Sequence, residues 1–295
     1  MQKIGGIVTL QSNSERLSTT DHSRDSAGLI YVYPVVSRRA GGVSIGINLN
    51  PNNACNWRCI YCQVPNLKRG TAPRINLSTL DTELRYFLKE LIHGDFMDRH
   101  VPPEARKIRD IALSGNGEPT SAKEFEQVIE LIGAVIKDFD LPNDIKLVLI
   151  TNGSLVSRSA VQAGMQKMSQ LNGEIWFKID RALAQERQRV NNSRISLRKI
   201  HDHLRIAASL CPTWIQTCVF QINGEPPSDS EVEAYLQFLR NLIAEKVPIR
   251  GVLLYGIARP SLQPEAPELS RVSDSWLIAH REKIQALGLA VRLNP

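Results

Sequence analysis

The feature that most constrains the fold of this chain is a regular alternation of short apolar runs with longer segments of helical periodicity. The apolar runs are typical of buried strands and occupy residues 44–49, 108–113, 145–150, 174–179, 214–222, 249–254 and 290–293. Segments with apolar residues at helical spacing separate them, at residues 78–93, 124–137, 157–170, 196–210, 228–244 and 270–287. Strands separated by helices form right-handed βαβ units, so the pattern predicts a parallel sheet.

Six such units predict an α/β fold, a partial (β/α)6 TIM-like barrel of parallel strands in a single domain over residues 31–295. Residues 1–30 are polar and lack a sustained period, which predicts a flexible or loosely packed N-terminal leader. We expect Ser78 to cap the first helix, and the two histidines of residues 201–203 to lie at the surface. In a parallel barrel the functional side chains lie in the loops that follow the strands.

The composition is that of an ordinary globular protein, with 42% hydrophobic and 22% charged residues. We find neither an apolar run long enough to cross a bilayer nor a basic segment followed by an apolar core. We therefore expect a cytoplasmic protein without a membrane partner, in a compartment that keeps thiols reduced. The net charge of +6 is compatible with an acidic redox partner, with RNA, or with a simply solvated surface.

Three of the five cysteines, Cys55, Cys59 and Cys62, lie in one loop with the spacing C-x3-C-x2-C. A loop can turn all three sulfurs toward one centre, where they hold three irons of a cubane cluster and leave the fourth iron open. A structural zinc site needs a fourth ligand, and the nearest following histidine is His93, far along the first helix. Zinc and three unconnected core thiols remain the alternatives to a cluster.

This cysteine loop, with Tyr61 directly before its third cysteine, resembles the signature of the radical S-adenosylmethionine (SAM) superfamily. Residues 37–63 are similar to a poorly characterised bacterial and archaeal branch of Fe–S oxidoreductases, and residues 114–119, 151–153 and 258–260 agree with it. The resemblance implies a [4Fe–4S] cluster whose open iron binds SAM. Reductive cleavage of SAM then yields methionine and a 5′-deoxyadenosyl radical, which removes hydrogen from a substrate.

The second motif, Gly115-Asn116-Gly117-Glu118-Pro119, directly follows a predicted strand. Two glycines in a tight turn let a ligand approach the backbone, and a carboxylate stands at the barrel mouth. The resemblance implies that Glu118 lies against the ammonium group of SAM. Asn116 between the glycines departs from the commoner Gly-Gly form, and a plain strand-to-helix turn is the alternative.

Other polar side chains follow the next strands. Thr151 and Asn152 end one of them, where they reach the ribose or carboxylate of SAM or form a simple turn. Lys178 and Asp180 share one face of the following strand, and they bind SAM or form a surface ion pair. Tyr61 is expected to shield the cluster and to pack beside the adenine of SAM.

Arg259 follows the strand at residues 249–254 and is the candidate for holding an anionic part of the substrate, as the catalytic residue for that step. Cys211 and Cys218 are too few to hold a second cluster and are expected to be small buried residues. An acidic flavodoxin or ferredoxin, the expected electron donor, would dock on the basic residues around the cysteine loop. These residues are Arg38, Arg39, Lys68 and Arg69.

The leading hypothesis is an enzyme that forms 5′-deoxyadenosyl radicals and acts on an unidentified small molecule or macromolecule. A protein that only holds a cluster, for electron transfer or sensing, is the first alternative, but it needs no turn such as residues 115–119. An RNA-modifying radical enzyme is the second, suggested by the basic charge and a loose likeness to wyosine-type enzymes. It is less favoured because the basic residues are not clustered with aromatic ones.

Overall fold

Eight strands form one continuous sheet in a computed structural model that describes Leu17 and residues 28–37 and 41–294. The spatial order of the strands follows the chain, β1 pairs antiparallel with β2, and every later pair is parallel. The strands are β1 Val32–Ser37, β2 Gly42–Ile47, β3 Ile108–Leu113, β4 Lys146–Thr151, β5 Gly173–Lys178, β6 Thr213–Val219, β7 Ile249–Gly256 and β8 Val291–Asn294.

Helices connect successive parallel strands and pack side by side, with α3 between α1 and α4 and with α6 next to α4. The helices are α1 Leu77–Ile92, α2 Phe96–His100, α3 Phe125–Asp138, α4 Ser159–Ser169, α5 Ala184–Asn191, α6 Leu197–Leu210, α7 Asp229–Ala244 and α8 Asp274–Gln285. Six βα units run from β2 to α8, and β8 follows as the edge strand. The predicted partial (β/α)6 TIM-like barrel is therefore confirmed.

The two faces of the sheet contact different surroundings, because successive side chains of a strand point to opposite sides. Ile45, Ile111 and Phe177 belong to the main hydrophobic core that the helices cover. Their neighbours Ala112 and Trp176 line a cavity on the concave face instead. The concave face is therefore free to hold a ligand without opening the core.

Strand β1 is not among the predicted strands. Five of its six residues are buried, so it lacks the polar–apolar alternation that marks a half-exposed strand. It also contains Pro34, which a sheet tolerates at an edge, and β1 is an edge strand. The predicted run at 214–222 ends earlier, at Val219, and Gln221–Ile222 pairs instead with Leu269–Ser270.

The predicted cap of the first helix is wrong. Asn76, not Ser78, caps α1, and its Oδ1 accepts a hydrogen bond from the Thr79 backbone N–H at 3.1 Å. Both residue types are good caps, and the structure selects the one that precedes the first helical residue.

The predicted leader at residues 1–30 lies largely outside the described residues, as do Arg38 and Arg39. Leu17 is described, and its backbone N–H donates to His100 O at 2.8 Å. None of the helices in the described part of the chain has the length and apolar character needed to cross a lipid bilayer.

Candidate active site

A cavity of ≈ 330 Å³ lies on the concave face, at the carboxyl ends of the parallel strands. It brings together side chains from loops that are far apart in the sequence. The predicted residues that line it are Cys55, Cys59, Cys62, Tyr61, Gly115, Gly117, Glu118, Thr151, Asn152, Lys178 and Arg259. Asp180 does not line it and is buried behind it, 4% exposed.

The cysteine loop is tied at its base to the rest of the chain. The two-residue strand Ala54–Cys55 pairs parallel with Lys68–Arg69. The buried amide of Asn50 donates to the Ala54 carbonyl at 2.9 Å, and the Cys62 backbone N–H donates to Cys59 O at 3.0 Å. All three loop cysteines are half-buried, and all three line the cavity.

Two thiols of this loop, those of Cys55 and Cys59, have pKa values that burial raises strongly. Burial raises the pKa of the Cys55 thiol to about 12 and that of Cys59 to about 11. Both thiols are therefore neutral at pH 7, and iron that binds them has to displace their protons.

The donors that the cysteine loop brings to the cavity are three thiols, those of Cys55, Cys59 and Cys62. In a cubane each thiolate binds a different iron, so three thiols fit a [4Fe–4S] cluster that keeps one iron open. A structural zinc site needs four protein ligands.

Residues 261–265 contact the cysteine loop through several hydrogen bonds. Ser261 Oγ donates to Ile60 O at 2.7 Å, and Gln263 Nε2 donates to Val64 O at 3.0 Å. Arg58 forms a bidentate ion pair with Glu265, with one hydrogen bond of 2.9 Å. These bonds satisfy the carbonyl groups of the loop and hold it in one shape.

The glycine motif after β3 packs against the same loop. A Cβ on Gly117 would collide with the Ala54 carbonyl, and one on Gly115 would collide with the Asn48 side chain. The chain itself fills the space on the Cβ side of each glycine, and both glycines line the cavity. Asn48 Oδ1 also accepts the Asn116 backbone N–H at 3.0 Å, so the two loops form one unit.

Glu118 is the centre of a buried hydrogen-bond network, with 2% of its surface exposed. Oε1 accepts the hydroxyls of Thr120 and Thr151, both at 2.6 Å, and Oε2 accepts the Asn152 backbone N–H at 2.7 Å. Burial raises the pKa of this carboxyl, and the hydrogen bonds oppose that effect. Oε2 keeps a lone pair for one more donor, since a carboxylate oxygen accepts two hydrogen bonds.

The segment after β4 joins this network to the cysteine loop. Asn152 Nδ2 donates to Asn56 Oδ1 at 2.8 Å, which links it directly to the residue that follows Cys55. Gly153 has φ +69°, and the Phe177 ring occupies the place of its missing Cβ. His203, predicted at the surface, is instead 3% exposed, and its Nδ1 lies 2.7 Å from Gly153 O. That prediction is wrong because the apolar face of α6 carries the ring inward.

Tyr61, Lys178 and Asp180 form one cluster. Tyr61 Oη donates to Asp180 Oδ2 at 2.6 Å, and Lys178 Nζ lies 3.6 Å from the same oxygen and 4.3 Å from the centre of the Tyr61 ring. Burial alone would lower the pKa of Lys178, but the Asp180 carboxylate raises it well above its ordinary value. Lys178 therefore brings a buried positive charge to the cavity beside Cys59.

The remaining predicted residues lie as follows. Arg259 lines the cavity, and its backbone carbonyl accepts a hydrogen bond from Gln63 Nε2 at 3.2 Å. Cys211 and Cys218 are buried, as expected, and burial raises the pKa of Cys211 to about 12.

Sequence reasoning missed two buried asparagines, Asn48 and Asn191, that organise the site. Asn48 follows β2, where a polar residue directly after a buried strand is a usable signal. Asn191 ends α5, a helix too polar to show an apolar period, so no local signal points to it.

No family model matches this chain. The GTPase Obg of Brachyspira hyodysenteriae is 31% identical over 132 residues, 45% of this chain and 17% of that protein. A UPF0026 protein of Methanocaldococcus jannaschii is 29% identical over 155 residues, 50% of this chain and 43% of that protein. A UPF0026 protein of Helicobacter pylori strain J99 is 24% identical over 247 residues, 80% of this chain and 68% of that protein. The chain thus spans less than half of the first two relatives.

Solved structures share the fold at low sequence identity. TYW1 with a lysine–pyruvate adduct has a TM-score of 0.55 and 15% identity, over 82% of this chain and 73% of that one. A radical SAM methyltransferase from Sphaerobacter thermophilus has a TM-score of 0.53 and 13% identity, over 86% and 66%. A spore photoproduct lyase variant has a TM-score of 0.53 and 10% identity, over 82% and 74%. The chain has the fold of these radical SAM enzymes, as the resemblance of its cysteine loop predicted.

Proposed function

We propose that this chain is a cytoplasmic radical SAM enzyme that binds a [4Fe–4S] cluster and cleaves SAM reductively. The observation that carries the proposal is the meeting of Cys55, Cys59 and Cys62 with Glu118 and Asn152 in one cavity. The cysteine spacing alone allows a cluster without SAM. The buried carboxylate of Glu118 belongs to the same cavity. A protein that only holds a cluster for electron transfer does not need this carboxylate.

The cysteines would hold three irons, and the bound cluster and SAM would supply a 5′-deoxyadenosyl radical. The chain's own contribution is placement. Glu118 Oε2 would accept a hydrogen bond from the SAM ammonium group, and its carboxylate is held by Thr151 and the Asn152 backbone. Tyr61 is held by its hydrogen bond to Asp180 and lines the cavity next to the cysteines. Its ring would exclude water from the cluster.

The electron donor we propose is an acidic flavodoxin or ferredoxin. Lys68 and Arg69 are exposed on the outer side of the cysteine loop. Arg69 already donates to the Asn56 carbonyl at 2.8 Å and to Asn192 Oδ1 at 2.7 Å, so part of its role is to hold the loop. Lys68 is the better candidate for a contact with a negatively charged partner.

The test of the proposal is SAM cleavage by the reconstituted protein. Anaerobic protein loaded with iron and sulfide and reduced with dithionite should convert SAM slowly to 5′-deoxyadenosine and methionine, measured by chromatography. Protein that holds four irons but forms no 5′-deoxyadenosine would instead support an electron carrier or sensor, and the proposal would be wrong.

Arg259 is proposed to bind an anionic group of the substrate, since it is a cationic residue that lines the cavity after β7. We expect anionic fractions of a cell extract to stimulate 5′-deoxyadenosine formation. Arg259→Ala should lower the stimulated rate about tenfold or more and the unstimulated rate much less, because a charge-assisted contact contributes about 1.5–3 kcal/mol. If both rates fall together, Arg259 serves SAM binding or the fold, not the substrate.

A further inference from the structure

The residues on both sides of Asn191, at the end of helix α5, form hydrogen bonds with the cysteine loop and with Arg69. The carbonyl of Val190 accepts the Ile60 backbone N–H at 2.9 Å. Asn192 adopts the left-handed conformation with φ 49°, and Arg69 donates to its Oδ1 at 2.7 Å. The backbone around Asn191 is therefore fixed relative to the loop that carries the cysteines.

The Asn191 side chain is 1% exposed and points at two acceptors. Its Nδ2 lies 2.6 Å from Asp180 Oδ2 and 3.4 Å from Cys59 Sγ. An amide nitrogen carries two hydrogens, so one can go to the carboxylate and the other to the sulfur. Asp180 is itself held by Tyr61 Oη and by the Cys218 backbone N–H at 3.0 Å, which leaves the amide little freedom to turn away.

We propose that Asn191 is a positioning residue that sets the reduction potential of the cluster through its hydrogen bond to Cys59 Sγ. The inference rests on the proposed function, because it requires a cluster on Cys59. Reduction adds negative charge to the iron–sulfur unit, and a hydrogen bond to a ligating sulfur stabilises that charge. Asn191 thus makes the cluster easier to reduce.

The contact is specific to one ligand. Cys55 Sγ accepts a hydrogen bond from the Trp57 backbone N–H at 3.4 Å, which no substitution of a side chain removes. Cys59 receives its donor from a side chain 132 residues away in the sequence. A single substitution at Asn191 therefore removes this donor, together with the hydrogen bond to Asp180, without replacing any residue of the cysteine loop.

The test is the midpoint potential of the anaerobically loaded protein, followed by electron paramagnetic resonance during a dye-mediated reductive titration. Asn191→Leu keeps a branched side chain of related shape and removes the donor. It should bind as much iron as the unaltered protein and have a lower midpoint potential. We expect about a tenfold loss in the one-electron reduction constant, which corresponds to about 59 mV.

The matched control is Ser193→Ala, which alters a buried polar side chain near the end of α5 that bonds neither Cys59 nor Asp180. Its potential should stay unchanged. An unchanged potential in Asn191→Leu, or an equal loss in both variants, would overturn the inference. If Asn191→Leu does not fold or load, Asn191→Ser replaces it, since a hydroxyl on this short stem cannot reach the sulfur.

Two further outcomes are informative. Loss of the cluster in both Asn191 variants, with Ser193→Ala fully loaded, would show that Asn191 holds the loop and does not tune the potential, which overturns the inference. Absence of iron from the unaltered protein would instead contradict the proposed function itself. Iron content therefore separates the two failures.

Discussion

Changing any one of Cys55, Cys59 or Cys62 to Ala should abolish the [4Fe–4S] cluster and, with it, all SAM cleavage. The loop offers three thiols, and no His, Asp or Glu of the described residues joins them to replace a missing ligand. The loss should appear as a fall from about four irons per chain and as the disappearance of the visible charge-transfer absorption.

Cys211→Ala and Cys218→Ala are the matched controls, since both remove a buried thiol from the same chain. They should keep the iron content and the absorption of the unaltered protein. Cys218 is a stricter control than Cys211, because Cys218 lines the same cavity as the three loop cysteines. A Cys59→Ala protein with full iron content would contradict the assignment of the cluster ligands.

Replacing Glu118 should have the second largest effect, on SAM affinity. Glu118→Gln keeps the shape of the side chain and one acceptor for the Asn152 N–H but removes the charge that faces the SAM ammonium group. Loss of a charge-assisted hydrogen bond costs about 1.5–3 kcal/mol, so the Kd for SAM should rise by roughly 10- to 150-fold. Isothermal titration of the cluster-loaded, unreduced protein measures this directly.

Thr120→Val provides the control for this prediction. It removes one hydroxyl donor from Glu118 Oε1, at 2.6 Å, and leaves the carboxylate and its Asn152 contact in place. It should lower stability by about 1 kcal/mol and change the Kd for SAM less than threefold. Equal affinity in Glu118→Gln and the unaltered protein would mean that Glu118 serves only the turn.

Glu118→Ala is a poorer choice for the affinity measurement. Its loss leaves the backbone N–H groups of Thr120 and Asn152 without an acceptor in a buried region. Each such group costs about 1–3 kcal/mol, so for the two groups the free energy of unfolding should fall by roughly 2–6 kcal/mol. A weaker affinity in that variant would then mix a binding effect with a structural one.

The parallel half-barrel could be read from the sequence because its signals are local. For example, the apolar run at residues 108–113 predicts a buried strand, and its bounds are the ones observed for β3. Seven apolar runs with six helical segments between them leave few arrangements other than βαβ units, whose handedness is fixed by the twist of the strands. The predicted barrel places successive strands side by side, and the structure has that order.

Some features of the candidate site could also be predicted from the sequence, and others could not. The spacing of Cys55, Cys59 and Cys62 lies within one loop, so the sequence by itself predicted that the three thiols lie together, and all three residues line the cavity. Glu118 and Arg259 could be placed near that centre because the loops after parallel strands meet at one edge of the sheet. What could not be read was that the two glycines before Glu118 also let Asn48 and Ala54 pack closely against the turn.

Only the tertiary structure decided which residues support the site. Asn191 meets Cys59 across 132 residues, and Ser261 meets Ile60 across 201 residues. The same is true of Asp180, which sequence reasoning placed in the cavity and the structure places behind Tyr61. Such contacts depend on how helices and loops pack after the sheet has formed. Local periodicity and spacing carry no record of them, because each partner would look the same as an ordinary polar residue in its own segment.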